Sequence, residues 1–361
     1  MPTFRPELNS LPTYIPGRPI DEVARELGIA DIVKVASNEH PEPPFPEVQA
    51  AIAESAKGVN RYPEDSSHHL VRALAHRHGI SPEHVWIGAG SSQLLGCIAL
   101  AVGGAGTSAI FADPSFAMYP IATGVAGAEP IEVPTDDLLR LDLEAMARAV
   151  RDDTTVVYVC NPNNPTGTHV AAPALDAFIS RIPERVLIVV DEAYGEYASA
   201  PDFATAIPHA IAHNNVLVTR TFSKIYGLAG LRVGYAVGQP STLRTLRKVQ
   251  PPFSVNTVAQ AAALTALEHD ERLEERIKTS AAGRDEIEAA LAKRGIEFAP
   301  SQANFVLFLP EADPGDLETA MLENGVIVRR IGPWIRVSVG TADENRRFVE
   351  ALDRATRTLA E

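Results

Sequence analysis

Residues 215–237, NVLVTRTFSKIYGLAGLRVGYAV, place two apolar runs on either side of a lysine. The first run ends in hydroxyl residues, and the second resumes only after a turn that holds two glycines. Short apolar runs bounded by turn residues read as buried strands. The same unit recurs upstream as VWIGAG, SAIFADP, TTVVYVCNP and RVLIVVDEAY, separated by longer segments that read as helices. From Val85 to Val237 this alternation predicts an α/β domain with a mostly parallel sheet. Ligands of open α/β sheets collect where strands end, which draws Gly90, Asn161, Asp191 and Ser223 toward one edge.

A chain of 361 residues exceeds the usual single core, so a second lobe is expected. Pro251 and Pro252 break the chain, a stretch from Thr257 to Arg294 reads as one long helix, and the remainder reads as a small α+β unit. The expected division is an N-terminal arm over 1–40 packing with the small domain, a large domain over 41–250 and a small domain over 251–361. Asp and Glu number 46 against 32 Lys and Arg, a net charge of −14 that disfavours nucleic acid as a partner. Cys97 and Cys160 are too few for a disulfide framework or a cysteine-rich metal site, which suits a reducing, cytoplasmic location. No stretch reaches the ~18 apolar residues of a membrane span, and the N-terminus has no apolar leader core.

The chemistry gathers around Lys224. A lone lysine is ordinarily a solvated surface charge, but here Thr221 and Ser223 precede it and Arg232 follows. Hydroxyls and a guanidinium suit a phosphate, and a lysine amine with a lowered pKa attacks aldehydes, so the pair suggests a phosphorylated aldehyde. In VVDEAYGEY, Asp191 ends a strand, where it can cap a turn or pair with a pyridinium nitrogen; Tyr194 would then reach the ring's phenolic oxygen. In CNPNNPTG, Asn164 precedes a proline in what can be a plain turn or a device, such as a cis Asn164–Pro165 bond, that aims its amide at the same oxygen. In GAGSS a turn opens a helix, so the N–H groups of Ser91 and Ser92 point at an anion. Phe116 reads as a core aromatic or as a group stacked on the ring. The histidines His68, His69, His76 and His78 read as an exposed helix face, and no metal is expected.

These motifs, together with LPTYIPG, VKVASNE, VNRYPE, DPSFAMY, PSQANFV and IRVSVG, resemble the fold-type I aminotransferases over nearly the whole chain. The resemblance is to the histidinol-phosphate aminotransferase family with its aromatic amino acid branch. It implies the aspartate aminotransferase-like fold of pyridoxal 5′-phosphate enzymes, a large domain with a mostly parallel sheet plus a smaller α+β domain. It implies that Lys224 carries the cofactor as a Schiff base and that Asp191 pairs with the pyridine nitrogen. Tyr194 and Asn164 would hold the ring oxygen and Phe116 would stack on the ring, while Ser91, Ser92, Thr221, Ser223 and Arg232 bind the phosphate. Tyr62 would reach the cofactor of the neighbouring subunit in a homodimer with shared sites. Arg336, Arg329 and Tyr14 match positions that contact substrate.

Two departures bear on substrate. Family members that act on histidinol phosphate usually carry aspartate after the arginine matched by Arg329, where this chain has Arg330, and His40 stands where asparagine is common. SQANFV, LPTYIPG and PPFSVN resemble the aromatic branch, whose pocket needs apolar and aromatic walls. The expectation is therefore phenylalanine or tyrosine with 2-oxoglutarate, with histidinol phosphate as the alternative and a decarboxylase or lyase on the same fold also open. A ligand sensor would need a fused DNA-binding module, and none is recognisable in this length.

Overall fold

The computed structural model describes residues 2–360 apart from 3, 10, 12, 14–16, 29 and 30. After β1 (Val33–Lys34), seven strands form the central sheet: β2 (Val85–Gly88), β3 (Ser108–Asp113), β4 (Glu129–Pro134), β5 (Thr154–Cys160), β6 (Leu187–Asp191), β7 (Val216–Thr221) and β8 (Gly234–Val237). Their order is β2-β8-β7-β6-β5-β3-β4, and every pairing is parallel except the two made by β8. Strand β5 shows why the runs are apolar throughout. Val156, Tyr158 and Cys160 pack on one face with Leu94, Leu95 and Ile98 of helix Ser91–Val102. Val157 and Val159 pack on the other face with Leu175, Phe178 and Ile179 of helix Ala172–Arg181. Side chains alternate across a strand, so a sheet covered on both faces has no polar side to show.

The pairings Cys160↔Asp191 and Asp191↔Thr219 bring the carboxyl ends of β5, β6 and β7 level. Beneath them a buried ion pair, Arg220 Nη2 to Glu192 Oε2 at 2.7 Å, ties the ends of β6 and β7.

In the second lobe β9 (Glu297–Ala299), β10 (Phe305–Leu309), β12 (Arg329–Ile331) and β13 (Trp334–Ser338) form an antiparallel sheet in the order β12-β13-β10-β9; β11 (Val326–Ile327) pairs in parallel with β1. Val306, Phe308, Ile335 and Val337 pack here against Phe348 and Leu352 of helix Ala342–Ala360. Arg329 lies opposite Arg336 and Arg330 opposite Ile335, so the two members of each pair share a face.

The expected single helix over 257–294 is two, Thr257–Ala266 and Asp270–Lys293. The second starts afresh with Asp270 and Glu271 in its first turn, where acidic groups offset the positive end of the helix dipole. Residues beyond the expected boundary at 250/251 also belong to the first core: Val255, Ala259, Ala262, Ala263 and Leu273 pack there. Helix Asp270–Lys293 then runs on to give Ile287 and Leu291 to the second core, so one rigid element serves both.

Candidate active site

A cavity of about 390 Å³ opens at the carboxyl ends of the parallel strands. All the candidate residues line it except Tyr14, which lies outside the described residues, and Tyr62. Lys224 follows β7 on a turn closed by the Gly227 N–H donating to its carbonyl at 2.9 Å. Its Nζ donates to the Ser37 carbonyl at 3.3 Å and lies 5.4 Å from the centre of the Tyr194 ring. Burial, with the positive charges of Arg336 and Arg232 against the opposing pull of Glu39, lowers the amine to about 7.

Asp191 closes β6 with 1% of its surface exposed. Tyr119 donates its hydroxyl to Oδ2 at 3.0 Å, and Tyr119 is held in turn by stacking on Tyr158 with ring centres 4.8 Å apart. Oδ1 is buried with no hydrogen-bond partner, and burial raises the carboxyl to about 6. A buried, unsatisfied carboxylate oxygen is costly unless a donor, best a cationic N–H, meets it.

At the other end helix Ser91–Val102 begins after Gly90, at φ 82°, without a side-chain cap. Its first N–H groups are therefore available to an anion. Arg232 Nη1 donates to Ser223 Oγ at 3.1 Å and to the Ala229 carbonyl at 3.0 Å, and the Ser223 N–H donates to Thr221 Oγ1 at 3.1 Å. A Cβ at position 90 would sit 2.6 Å from Arg232 Nη2, so the glycine lets the guanidinium close over the helix start. An orphaned acid at one end, a neutral-leaning amine at the side and an anion cradle at the other end fit pyridoxal phosphate.

Asn164, after β5, follows one cis peptide, Asn161–Pro162, and precedes another, Asn164–Pro165. Its Oδ1 accepts from Arg336 Nη1 at 2.5 Å, which leaves the amide N–H groups for the cavity. Arg336 Nη2 donates to the Ala36 carbonyl at 2.8 Å. Arg329 lines the same cavity from the adjacent strand. Arg330 does not: its N–H donates to Glu318 Oε1 at 3.2 Å and its Nε lies 3.5 Å from Glu318 Oε2, on the solvent side.

Residues 36–39 also line the cavity, and no role for them follows from the sequence. Asn38 is buried in the left-handed region at φ 55° and donates from Nδ2 to the Tyr194 hydroxyl at 3.0 Å. The run VKVASNE marks the segment, but the contact joins residues 156 apart and leaves no local signal. Tyr119, three residues past Phe116 in DPSFAMY, was legible only as part of that motif.

Tyr62 is 81% exposed outside the cavity and stacks on Phe253 at 4.7 Å. Of the histidines on helix His68–His78, His78 departs from the exposed face expected: its Nε2 lies 2.9 Å from the Tyr235 hydroxyl and burial lowers it to about 4. Among the described residues no cluster of His, Cys, Asp and Glu has the arrangement of a metal site, and no helix is long and apolar enough to cross a membrane.

The pattern of the class I and II aminotransferases matches residues 30–352, and the chain belongs to that family of pyridoxal-phosphate enzymes. Its relatives sharpen the assignment. Histidinol-phosphate aminotransferase of Moorella thermoacetica is 39% identical over 98% of this chain and 92% of that one. Histidinol-phosphate aminotransferase 1 of Thiobacillus denitrificans is 43% identical over 97% and 92%. The crystal structure of histidinol-phosphate aminotransferase from Sinorhizobium meliloti, in complex with pyridoxal-5′-phosphate, superimposes with a TM-score of 0.90 at 32% identity over 99% of this chain and 98% of that one.

These similarities overturn the expectation of an aromatic amino acid substrate. Two physical reasons underlie the correction. Arg330, a mark against histidinol phosphate in the sequence, turns its guanidinium to Glu318, with Nε 3.5 Å from Oε2, because neighbours on a strand point to opposite faces. Among the described lining residues only Phe116 and Tyr194 are aromatic, and they share the cavity with Glu39, Asp191, Lys224, Arg232, Arg329 and Arg336, a more charged lining than a phenyl ring calls for.

Proposed function

We propose that the chain moves the amino group of histidinol phosphate to a keto acid, with pyridoxal phosphate carried on Lys224. The observation that carries the substrate is the pair Arg329 and Arg336, set opposite each other by the β12–β13 register and both lining the cavity. Histidinol phosphate bears a phosphate dianion where an amino acid bears a single carboxylate, and two guanidinia match a dianion by charge-assisted, forked hydrogen bonds.

When bound, the cofactor supplies an aldehyde that links to amines and a ring that takes up the electron pair released at the substrate's Cα. Lys224, lowered to about 7 by burial, would hold that aldehyde through its neutral amine and would serve as the base and acid for the Cα proton. Asp191 Oδ1, buried without a partner, would pair with the ring nitrogen and favour its protonated form. Tyr194 and the Asn164 amide would donate to the ring oxygen and Phe116 would cover the ring face, all three lining the cavity. Ser91, Ser92, Thr221, Ser223 and Arg232, which line the same cavity, would hold the phosphate. Tyr62 completes the site of a second copy in a homodimer; its exposed stack with Phe253, remote from its own cavity, supports that reading.

The test compares histidinol phosphate with histidinol, which lacks only the phosphate. Two charge-assisted bonds of roughly 1.5 kcal/mol each put the expected loss of kcat/KM on removing the phosphate at about 100-fold. Arg329→Gln narrows that ratio. Equal use of the two compounds contradicts the proposal.

A further inference from the structure

A phenol has one proton and two lone pairs, so whatever fills a lone pair restricts where the proton can go. At Tyr194 one lone pair is filled by Asn38 Nδ2 at 3.0 Å. The Asn38 amide is itself fixed. Ser338 Oγ accepts from the Asn38 backbone N–H at 2.8 Å and donates to Asn38 Oδ1 at 2.8 Å, which turns the NH₂ end toward Tyr194. Asn304 Nδ2 donates to the Asn38 carbonyl at 3.2 Å. Asn38, Ser338 and Asn304 are each no more than 4% exposed, so water does not compete for these groups. Ser338 lies two residues beyond Arg336 on β13 and opposite Phe305, whose ring meets Tyr194 edge-on at 5.1 Å.

We propose that Asn38 and Ser338 are positioning residues for Tyr194: Asn38 occupies the phenol oxygen so that its only proton is directed into the cavity, and Ser338 locks the amide in the orientation that does this. The proposal rests on the reading of Tyr194 as a donor to the cofactor's ring oxygen. It places that donor's orientation on the same strand as Arg336, so the small lobe sets both the substrate anion's partner and the phenol's direction.

The test is a pH titration of the visible absorbance of the bound cofactor in substrate-free holoenzyme. It compares wild type, Asn38→Gly, Ser338→Ala, Tyr194→Phe and the Asn38→Gly/Tyr194→Phe double variant. Glycine tolerates the left-handed backbone at position 38, and Ser338→Ala keeps asparagine at position 38 should the first variant fail to fold. A donor at the ring oxygen competes with the neighbouring nitrogen for the shared proton, so losing it moves the midpoint upward. One ordinary hydrogen bond corresponds to about 0.5 to 1 pH unit. The expected result is an upward shift of that size in Asn38→Gly and Ser338→Ala, at least as large in Tyr194→Phe, and no further shift in the double variant. An unmoved midpoint in Asn38→Gly and Ser338→Ala, with a shift in Tyr194→Phe, overturns the proposal and leaves the reading of Tyr194 standing. An equal shift from Asn38→Gly with and without the phenol overturns it as well. If Tyr194→Phe moves nothing, the reading of Tyr194 fails and the proposal with it.

Discussion

The amine of Lys224 can be interrogated before any cofactor is bound. An ordinary lysine titrates at 10.5 and Lys224 at about 7. At pH 7 about one in 3,000 ordinary lysines is neutral, against half of the Lys224 side chains, since each pH unit is a factor of ten. Only the neutral amine attacks an aldehyde, so the apoprotein should attach pyridoxal phosphate at one site roughly a thousand times faster than a surface lysine does. Trapping by borohydride reduction at timed intervals, followed by peptide mapping, measures that rate residue by residue. The rate at Lys224 rises with pH only up to about 7 and then levels, whereas other lysines gain tenfold per unit to pH 9. Arg336→Gln removes a positive neighbour and moves the Lys224 midpoint up; Glu39→Gln removes the opposing carboxylate and moves it down. A Lys224 rate that keeps climbing tenfold per unit through pH 9 refutes the reasoning.

The same lowered amine has a stability consequence. The native state resists protonating Lys224, so the penalty is complete below about pH 7 and gone above 10.5. Lys224→Met therefore raises the thermal midpoint of the apoprotein at pH 6.5, and the gain fades as pH rises through that window. Tyr119→Phe removes a bond that lowers the Asp191 carboxyl, so Asp191 moves above about 6 and cofactor retention, measured by dialysis, weakens on the acid side first. Arg330→Gln leaves kcat/KM for histidinol phosphate within about twofold, as befits an exposed side chain facing Glu318. Tyr62→Phe weakens cofactor retention in proportion to the dimer fraction seen by sedimentation.

The strands of the large lobe were legible because both faces of its sheet are covered, and residues such as Asp191 and Lys224 stand out where such runs stop. The helix start after Gly90 was legible for a similar local reason, a glycine and two serines at its opening. What stayed hidden depends on register. Arg329 and Arg330 are adjacent, and nothing in VIVRRIG tells which faces the cavity until β12 is paired with β13. Asn38 reaches Tyr194 across 156 residues from a left-handed backbone that asparagine only permits. The boundary between lobes has no sharp mark in the sequence, because Val255 and Leu273, beyond Pro251 and Pro252, pack in the first core.

The most direct measurement is a half-reaction: holoenzyme mixed with a stoichiometric amount of one amino donor, with loss of the cofactor's aldehyde absorbance followed in a stopped-flow instrument. Conversion by histidinol phosphate that is faster than by phenylalanine or tyrosine at equal concentration is the result predicted from the paired Arg329 and Arg336. Conversion by phenylalanine at an equal or greater rate contradicts the account.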